Sequence, residues 1–310
     1  MNNSEPATSP GNIRRAVVAG GSGAIGQMFT AVLAESGVSV CVVDPHPPGS
    51  MQPGVRWVDG DIRAPGDGVS AEISGADLLL LAVPEPVAVA AVPALMDLLP
   101  EGALLADTPS VKGRMATAVR GFRDRQAVSL NPMFAPAPGM RGRPVVSVMF
   151  HHGHLVDDLL ALIEAFGGRV VRMDASRHDR SAAVSQALTH ATVLAFGHAL
   201  HTLDADMDEL VAVAPPPHAA LSAMPGRVTS GVSEVYWDIQ SGNPLASDAH
   251  EALARGLDHL RDVVGSGSGA DFERLSRDVT SVLGEQRRPL QETSAQLFAG
   301  AALVSSGESA

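Results

Sequence analysis

The chain is short of basic charge, of cysteine and of long apolar runs. Lysine and arginine number 22 against 34 aspartates and glutamates, a formal net charge of −12. Contacts to a nucleic-acid backbone need a basic face, so this balance argues against that class of function. The single cysteine, Cys41, excludes an internal disulfide framework and reads as a small core residue of a reducing compartment. No apolar run reaches the ~20 residues of a membrane span, and the run at 76–83 has the length of one buried strand. Residues 1–11 are polar, without the basic and apolar stretches of a secretory leader. They read as a frayed end, as do residues 297–310, and the protein is expected in the cytoplasm. What is present is ample core material: 310 residues, 45% of them hydrophobic, enough for two domains.

The most specific signal is local. Ala16-Val17-Val18-Ala19 runs into Gly20-Gly21-Ser22-Gly23-Ala24-Ile25-Gly26, and a helix-like segment follows. A strand, a Gly-x-Gly-x-x-Gly turn and a helix form the dinucleotide fingerprint. Gly21 is expected to permit the tight turn, Gly23 the approach of a pyrophosphate, and Gly26 the close packing of helix on strand. The helix N-terminus then offers free N–H groups and partial positive charge to the phosphates. A second apolar run, 38–43, ends in Asp44. An acidic residue there accepts from the adenosine ribose hydroxyls and repels a 2′-phosphate, which points to NAD rather than NADP. The alternative is a glycine-rich turn of an unrelated α/β protein. The cofactor set is read as Gly21, Ser22, Gly23, Ala24, Ile25, Gly26, Asp44, Val83 and Ser110.

Apolar runs at 16–19, 38–43, 78–83, 103–106, 127–130, 145–150 and 169–173 alternate with helix-like stretches. That pattern predicts a doubly wound parallel sheet of Rossmann type over residues 12–174. Asp157 and Asp158 mark the start of one helix and Gly167-Gly168 its end. From 175 to 296 the pattern is helical. One long helix is expected over 176–209, then helices over 218–240, 247–264 and 270–296, with a break at 214–217 and a flexible joint at 265–269. Residues 191–200 are apolar on most sides, and such a helix must be buried on several faces. The simplest cover is a second copy, so a homodimer through the helical half is expected.

Lys112 suits a substrate carboxylate at the carboxyl end of a strand, with a solvated lysine as the alternative. His151, His152 and His154 read as an exposed loop rather than a metal site, and no metal is expected.

Three segments carry a resemblance: 107–112 (Asp-Thr-Pro-Ser-Val-Lys), 130–136 (Leu-Asn-Pro-Met-Phe-Ala-Pro), and Arg177-His178-Asp179 followed by Gln186-Ala187-Leu188-Thr189-His190. In order and spacing the chain resembles the prephenate dehydrogenase family from about residue 13 to about 290. It looks closest to the dehydrogenase part of the bifunctional mutase–dehydrogenases, with no mutase or regulatory domain expected beside it. The resemblance implies hydride transfer from ring C4 of a cyclohexadiene to NAD, with loss of CO2. It also implies that Ser110 hydrogen-bonds near the reacting position and that His190 contacts substrate. His178 and Asp179 are expected to help join the domains. The family holds a substrate carboxylate with an arginine after the proline-rich break. Here that stretch is His218-Ala219-Ala220-Leu221, and Arg227, the next arginine, is the remaining candidate.

Where the family has Leu-His-Pro-Met-Phe, with the histidine as base, this chain has Asn131. An amide has no protonation equilibrium near neutrality and cannot be a general base. Oxidising an alcohol without one leaves a protonated ketone. A 4-amino group removes the need, because its lone pair expels the hydride and leaves an iminium ion. The resemblance and this departure together imply oxidative decarboxylation of 4-amino-4-deoxyprephenate, with Asn131, Ser110 and His190 at the reacting centre. Lys112, Asn131, His190 and Arg227 are the candidate substrate ligands. Ordinary prephenate or arogenate oxidation is the alternative. A 3-hydroxyacyl or 6-phosphogluconate type of dehydrogenase and a non-catalytic NAD sensor are the rival classes.

Overall fold

A computed structural model describes residues 10–122, 124–137 and 139–305, with the last six as backbone only. The apolar runs become β1 (Arg15–Ala19), β2 (Ser39–Val43), β4 (Leu78–Leu81), β5 (Leu104–Asp107), β6 (Gln126–Pro132), β7 (Pro144–His151) and β8 (Arg169–Arg172). A further strand, β3 (Arg56–Val58), has three residues, too few for a periodicity to show. All eight form one sheet in the order β3-β2-β1-β4-β5-β6-β7-β8. Alternate residues face opposite layers. Val18, Val42 and Leu80 pack under α1 (Ala24–Glu35) and α5 (His154–Ala165). Val17, Cys41 and Leu79 pack under α2 (Asp67–Ile73), α3 (Glu85–Leu98) and α4 (Gly113–Ala118). Covered on both faces, the central strands must be apolar throughout, as the four buried leucines of β4 are.

The sheet is parallel except at one pair. β6 and β7 run antiparallel, with Asn131 opposite Val146, in a sheet that otherwise has the parallel, doubly wound layout expected. The strand order reverses between β1 and β4. Ligands of open α/β sheets bind where the carboxyl ends part at such a reversal.

The chain divides into two compact units between Ala182 and Ala183. α6 (Ala175–Ala182) packs on α4 and β7, so it belongs with the sheet. The single helix expected over 176–209 is instead α6, a π-helical turn over Ala183–Leu188, and α7 (Thr189–Thr202). It stops because Asp204 adopts φ of 51° and the Asp206 carboxylate caps α8 (Met207–Val213). α9 (Pro216–Thr229) and α10 (Ser233–Gly242) replace one expected helix, and residues 230–232 part them. α11 (Ala246–Ser266) and α12 (Gly269–Leu283) meet at the expected joint, where Gly267 takes φ of 68° and Ser268 caps α12. A 3-10 turn, Gly284–Gln286, separates α12 from α13 (Arg287–Ser305), so residues 297–305 are helical rather than frayed. The frayed ends expected at 1–9 and 306–310 lie outside the described residues.

The second unit has a small core of its own, Ala187, Ile239 and Ala246. Val193 is the one buried residue of α7, and Leu194, Trp237 and Val282 are 39%, 69% and 87% exposed. Among the described residues, no helix is long and apolar enough to cross a membrane.

Candidate active site

The glycine turn leaves β1 where the sheet reverses. Gly20 takes φ of 77°, a left-handed value that favours glycine, and a Cβ on it would meet Val83 Cγ1 at 2.8 Å. The tight turn therefore belongs to Gly20, a correction to the role expected of Gly21. Gly21 lacks a side chain for another reason: a Cβ there would sit 2.6 Å from Val42 Cγ1. A Cβ on Gly26 would run into the Gly20 carbonyl oxygen and come within 2.6 Å of Gly21 Cα, so helix and turn touch backbone to backbone. Around Gly23 a Cβ would meet just the Gly20 oxygen, at 3.4 Å. Gly23 is also the N-cap of α1 and brings no side chain to the first free N–H groups of the helix. Such a turn leaves room for an anion at the helix N-terminus.

Asp44 directly follows β2 and is buried. Its Oδ2 accepts from Ser22 N–H at 3.1 Å and its Oδ1 from His46 N–H at 3.0 Å, while its own carbonyl accepts from Trp57 Nε1 at 3.0 Å. The carboxylate is therefore fixed beside the glycine turn. Val83 follows β4 and abuts Gly20, which places it with the same group. These residues fit a dinucleotide on geometry alone: a side-chain-free turn, a helix N-terminus and a positioned acceptor. Asp44→Ala is expected to raise the KM for NAD by roughly tenfold to a hundredfold, the loss of a hydrogen bond to a charged group. It should also narrow the preference over NADP. Equal turnover with the two cofactors in the unaltered protein would contradict this role.

Asn131 lies in β6 and is buried, and its Nδ2 is 3.0 Å from His178 Nε2. His178 Nδ1 is 2.9 Å from Asp179 Oδ1. Asp179 in turn accepts from the backbone N–H of Lys112 at 2.9 Å and of Gly113 at 3.1 Å. His178 and Asp179 thus support Asn131 and the start of α4, tying the stretch after residue 174 to the sheet.

Lys112 is completely buried. Its Nζ donates to Pro109 O at 2.5 Å and Leu130 O at 2.8 Å, and lies 4.0 Å from Asp107 Oδ1. Ser129 Oγ donates to the same Asp107 oxygen. The ammonium is engaged inside the protein, which corrects the reading of Lys112 as a substrate anchor. Burial pushes its pKa down to about 8 and that of Asp107 up to about 6, each partly offset by the other's charge. Breaking a buried pair typically costs ~3–5 kcal/mol, so Lys112→Met should lower the melting temperature sharply. A variant of unchanged stability and raised substrate KM would restore the anchoring role.

Ser110 is half-buried in the segment between β5 and α4. His190 and Arg227 lie in the second unit, on α7 and α9. The Tyr236 ring stands edge-on to His190 at 4.9 Å. Burial, with the nearby Arg227 charge, holds the His190 pKa below its usual 6.5, and its Nδ1 is buried with no hydrogen-bond partner. The structure thus brings Arg227 close enough to His190 to act on it. Of the histidine cluster, His152 faces Asp157 at 3.3 Å. No group of three metal-ligating side chains converges among the described residues.

A side-chain-poor glycine turn at a helix N-terminus, an acidic residue fixed beside it, and a sheet unit followed by an all-helical one are the arrangement of a dinucleotide-binding dehydrogenase fold. Residues 174–278 match the family described as prephenate dehydrogenase, dimerization domain. A 4-amino-4-deoxyprephenate dehydrogenase of Streptomyces pristinaespiralis is 46% identical over 285 residues, 92% of this chain and 96% of that protein. A probable arogenate/prephenate dehydrogenase of Methanocaldococcus jannaschii is 23% identical over 281 residues, 87% of this chain and 61% of that protein. The fold of prephenate dehydrogenase from A. aeolicus, crystallised with hydroxyphenyl propionate and NAD+, matches with a TM-score of 0.68 at 17% identity, over 89% of this chain and 98% of that one. The chain belongs to the prephenate dehydrogenase family.

Proposed function

We propose that the protein oxidises and decarboxylates 4-amino-4-deoxyprephenate with NAD, giving 4-aminophenylpyruvate and CO2. The observation that carries this reading is Asn131, a buried amide held by His178 where the family has its base. The 46% identity to a 4-amino-4-deoxyprephenate dehydrogenase supports it.

When bound, NAD supplies the hydride acceptor. The glycine turn and the α1 N-terminus hold its pyrophosphate, and Asp44 accepts from the ribose. Asn131 meets the substituent on C4. The substrate binds with its amine unprotonated, its proton already lost to solvent, and the nitrogen pushes its lone pair into the C4–N bond as the hydride leaves. The C1–carboxylate bond then breaks, and its two electrons run through the ring to the iminium nitrogen. The product is a neutral aromatic amine, and no side chain has had to take a proton. Ser110 hydrogen-bonds near the reacting position, and within the helical unit His190 and Arg227, close to each other, offer donors suited to a carboxylate.

Incubation with the amine and NAD should yield NADH in step with 4-aminophenylpyruvate, identified by mass. Absence of that product would overturn the reading.

The protein acts as a homodimer through its helical unit. Nearly all its large exposed apolar side chains lie there, among them Trp237, Leu257 and Val282, and a surface of that kind calls for a partner. Light scattering should report twice the 32.0 kDa chain mass, and a monomer at micromolar concentration would contradict this. A reducing, cytoplasmic setting fits the lone buried Cys41.

A further inference from the structure

One side chain fixes Asn131, and the chemistry above gives it no part. His178 is buried between Asn131 and Asp179. An ionised carboxylate can only accept, so His178 Nδ1 carries the hydrogen that faces Asp179. Burial is the main force holding the ring neutral, and the Lys112 cation adds to it. Together they outweigh the pull of Asp179 and keep the pKa below the usual 6.5. A neutral imidazole with its hydrogen on Nδ1 has a bare lone pair on Nε2. That lone pair can only accept, and the amide nitrogen is the one donor in the asparagine side chain. The hydrogen bond thus fixes which way round the amide sits.

We propose that His178 is a positioning and specificity residue: it commits the Asn131 nitrogen to itself and leaves the carbonyl oxygen to accept from an N–H on the reacting carbon. The inference rests on the amine reading given above. As hydride leaves C4, the substrate nitrogen gains positive charge and its N–H becomes a stronger donor. The bond to the Asn131 oxygen therefore tightens toward the transition state. The reversed amide would do the opposite. It would donate to the lone pair that must expel the hydride and set its own positive edge against a developing cation. Protonation of His178 forces that reversal, because both ring nitrogens then donate. The charged groups that face the ring are Asp179 and Lys112, with Asp107 behind Lys112.

The test is kcat and KM for 4-amino-4-deoxyprephenate against pH in the unaltered enzyme, His178→Leu and His178→Gln. Glutamine can donate to Asp179 and accept from Asn131, and it does not titrate. His178→Leu should lose about tenfold or more in kcat, the cost of one misdirected hydrogen bond to a charged centre, with the KM for NAD unchanged. His178→Gln should recover most of that loss. The unaltered enzyme should show a fall in kcat as pH drops through the His178 pKa, and His178→Gln should lack it. The substrate amine titrates alike in every variant, so the difference between profiles belongs to His178. Full kcat in His178→Leu, or an unchanged acid limb in His178→Gln, would overturn the inference while leaving amine oxidation standing. If His178→Leu does not fold, the two remaining profiles decide. Failure of the unaltered enzyme to oxidise the amine would remove the functional reading and this one with it.

Discussion

Asn131→His is expected to raise kcat/KM for prephenate by about tenfold to a hundredfold, less than the roughly 10²–10⁴-fold that a well-positioned base contributes. The new imidazole would meet His178 Nε2, which lies 3.0 Å from the present amide nitrogen. It can donate one N–H there, as the amide does, and keep its other nitrogen free to take the 4-hydroxyl proton. The Asp179–His178 pair would orient the grafted base, so part of the support a base needs already stands in place. Activity on the amine should stay level or fall, because a protonating imidazole repels a nearby iminium. An Asn131→His enzyme no better on prephenate would show that the missing base is not what limits the alcohol.

The second large effect belongs to the glycine turn, and it separates two kinds of glycine. Gly26→Val should abolish NAD binding and lower the melting temperature, because its Cβ would meet backbone, the Gly20 oxygen and Gly21 Cα, neither of which can rotate aside. Gly26→Ala places the same Cβ there and should lower the melting temperature by the equivalent of about 1–3 kcal/mol of overpacking, weakening NAD as the turn shifts. Gly23→Ala is different. A Cβ there meets just one atom, at 3.4 Å, so the fold should keep its melting temperature while the methyl obstructs the approach of the pyrophosphate. Thermal melts with and without NAD distinguish the two outcomes. Equal melting of Gly23→Ala and Gly26→Ala, each still stabilised by NAD, would contradict the cradle.

Much of the first unit was legible in the sequence because its signals are local. A buried parallel strand must be apolar along its whole length, and β4, with four leucines, reads so at once. Gly23, Gly26 and Asp44 announced a dinucleotide site through spacing. The antiparallel β6–β7 pair could have been inferred as well. Between the apolar runs 127–130 and 145–150 lies a proline- and glycine-rich stretch, whereas a parallel crossover needs a helix. Other features depend on distance in sequence. Lys112 read as an anchor for a substrate carboxylate, and nothing near it foretells that Pro109 and Leu130 carbonyls would enclose it. His178 is 47 residues from Asn131, and only the packing of α6 against the sheet unit brings the two together. The second unit read as helical but with wrong boundaries. Its breaks turn on Asp204, on residues 230–232 and on one 3-10 turn, none of which disturbs the apolar periodicity.

The central claim is that this chain reads an amine rather than an alcohol at C4, and one measurement addresses it. It is kcat/KM of the unaltered protein, with NAD, for 4-amino-4-deoxyprephenate and prephenate side by side. The account predicts a preference for the amine of about 10² or more, the scale of a missing general base. A clear preference for prephenate would contradict it, and would require a group other than Asn131 to take the proton.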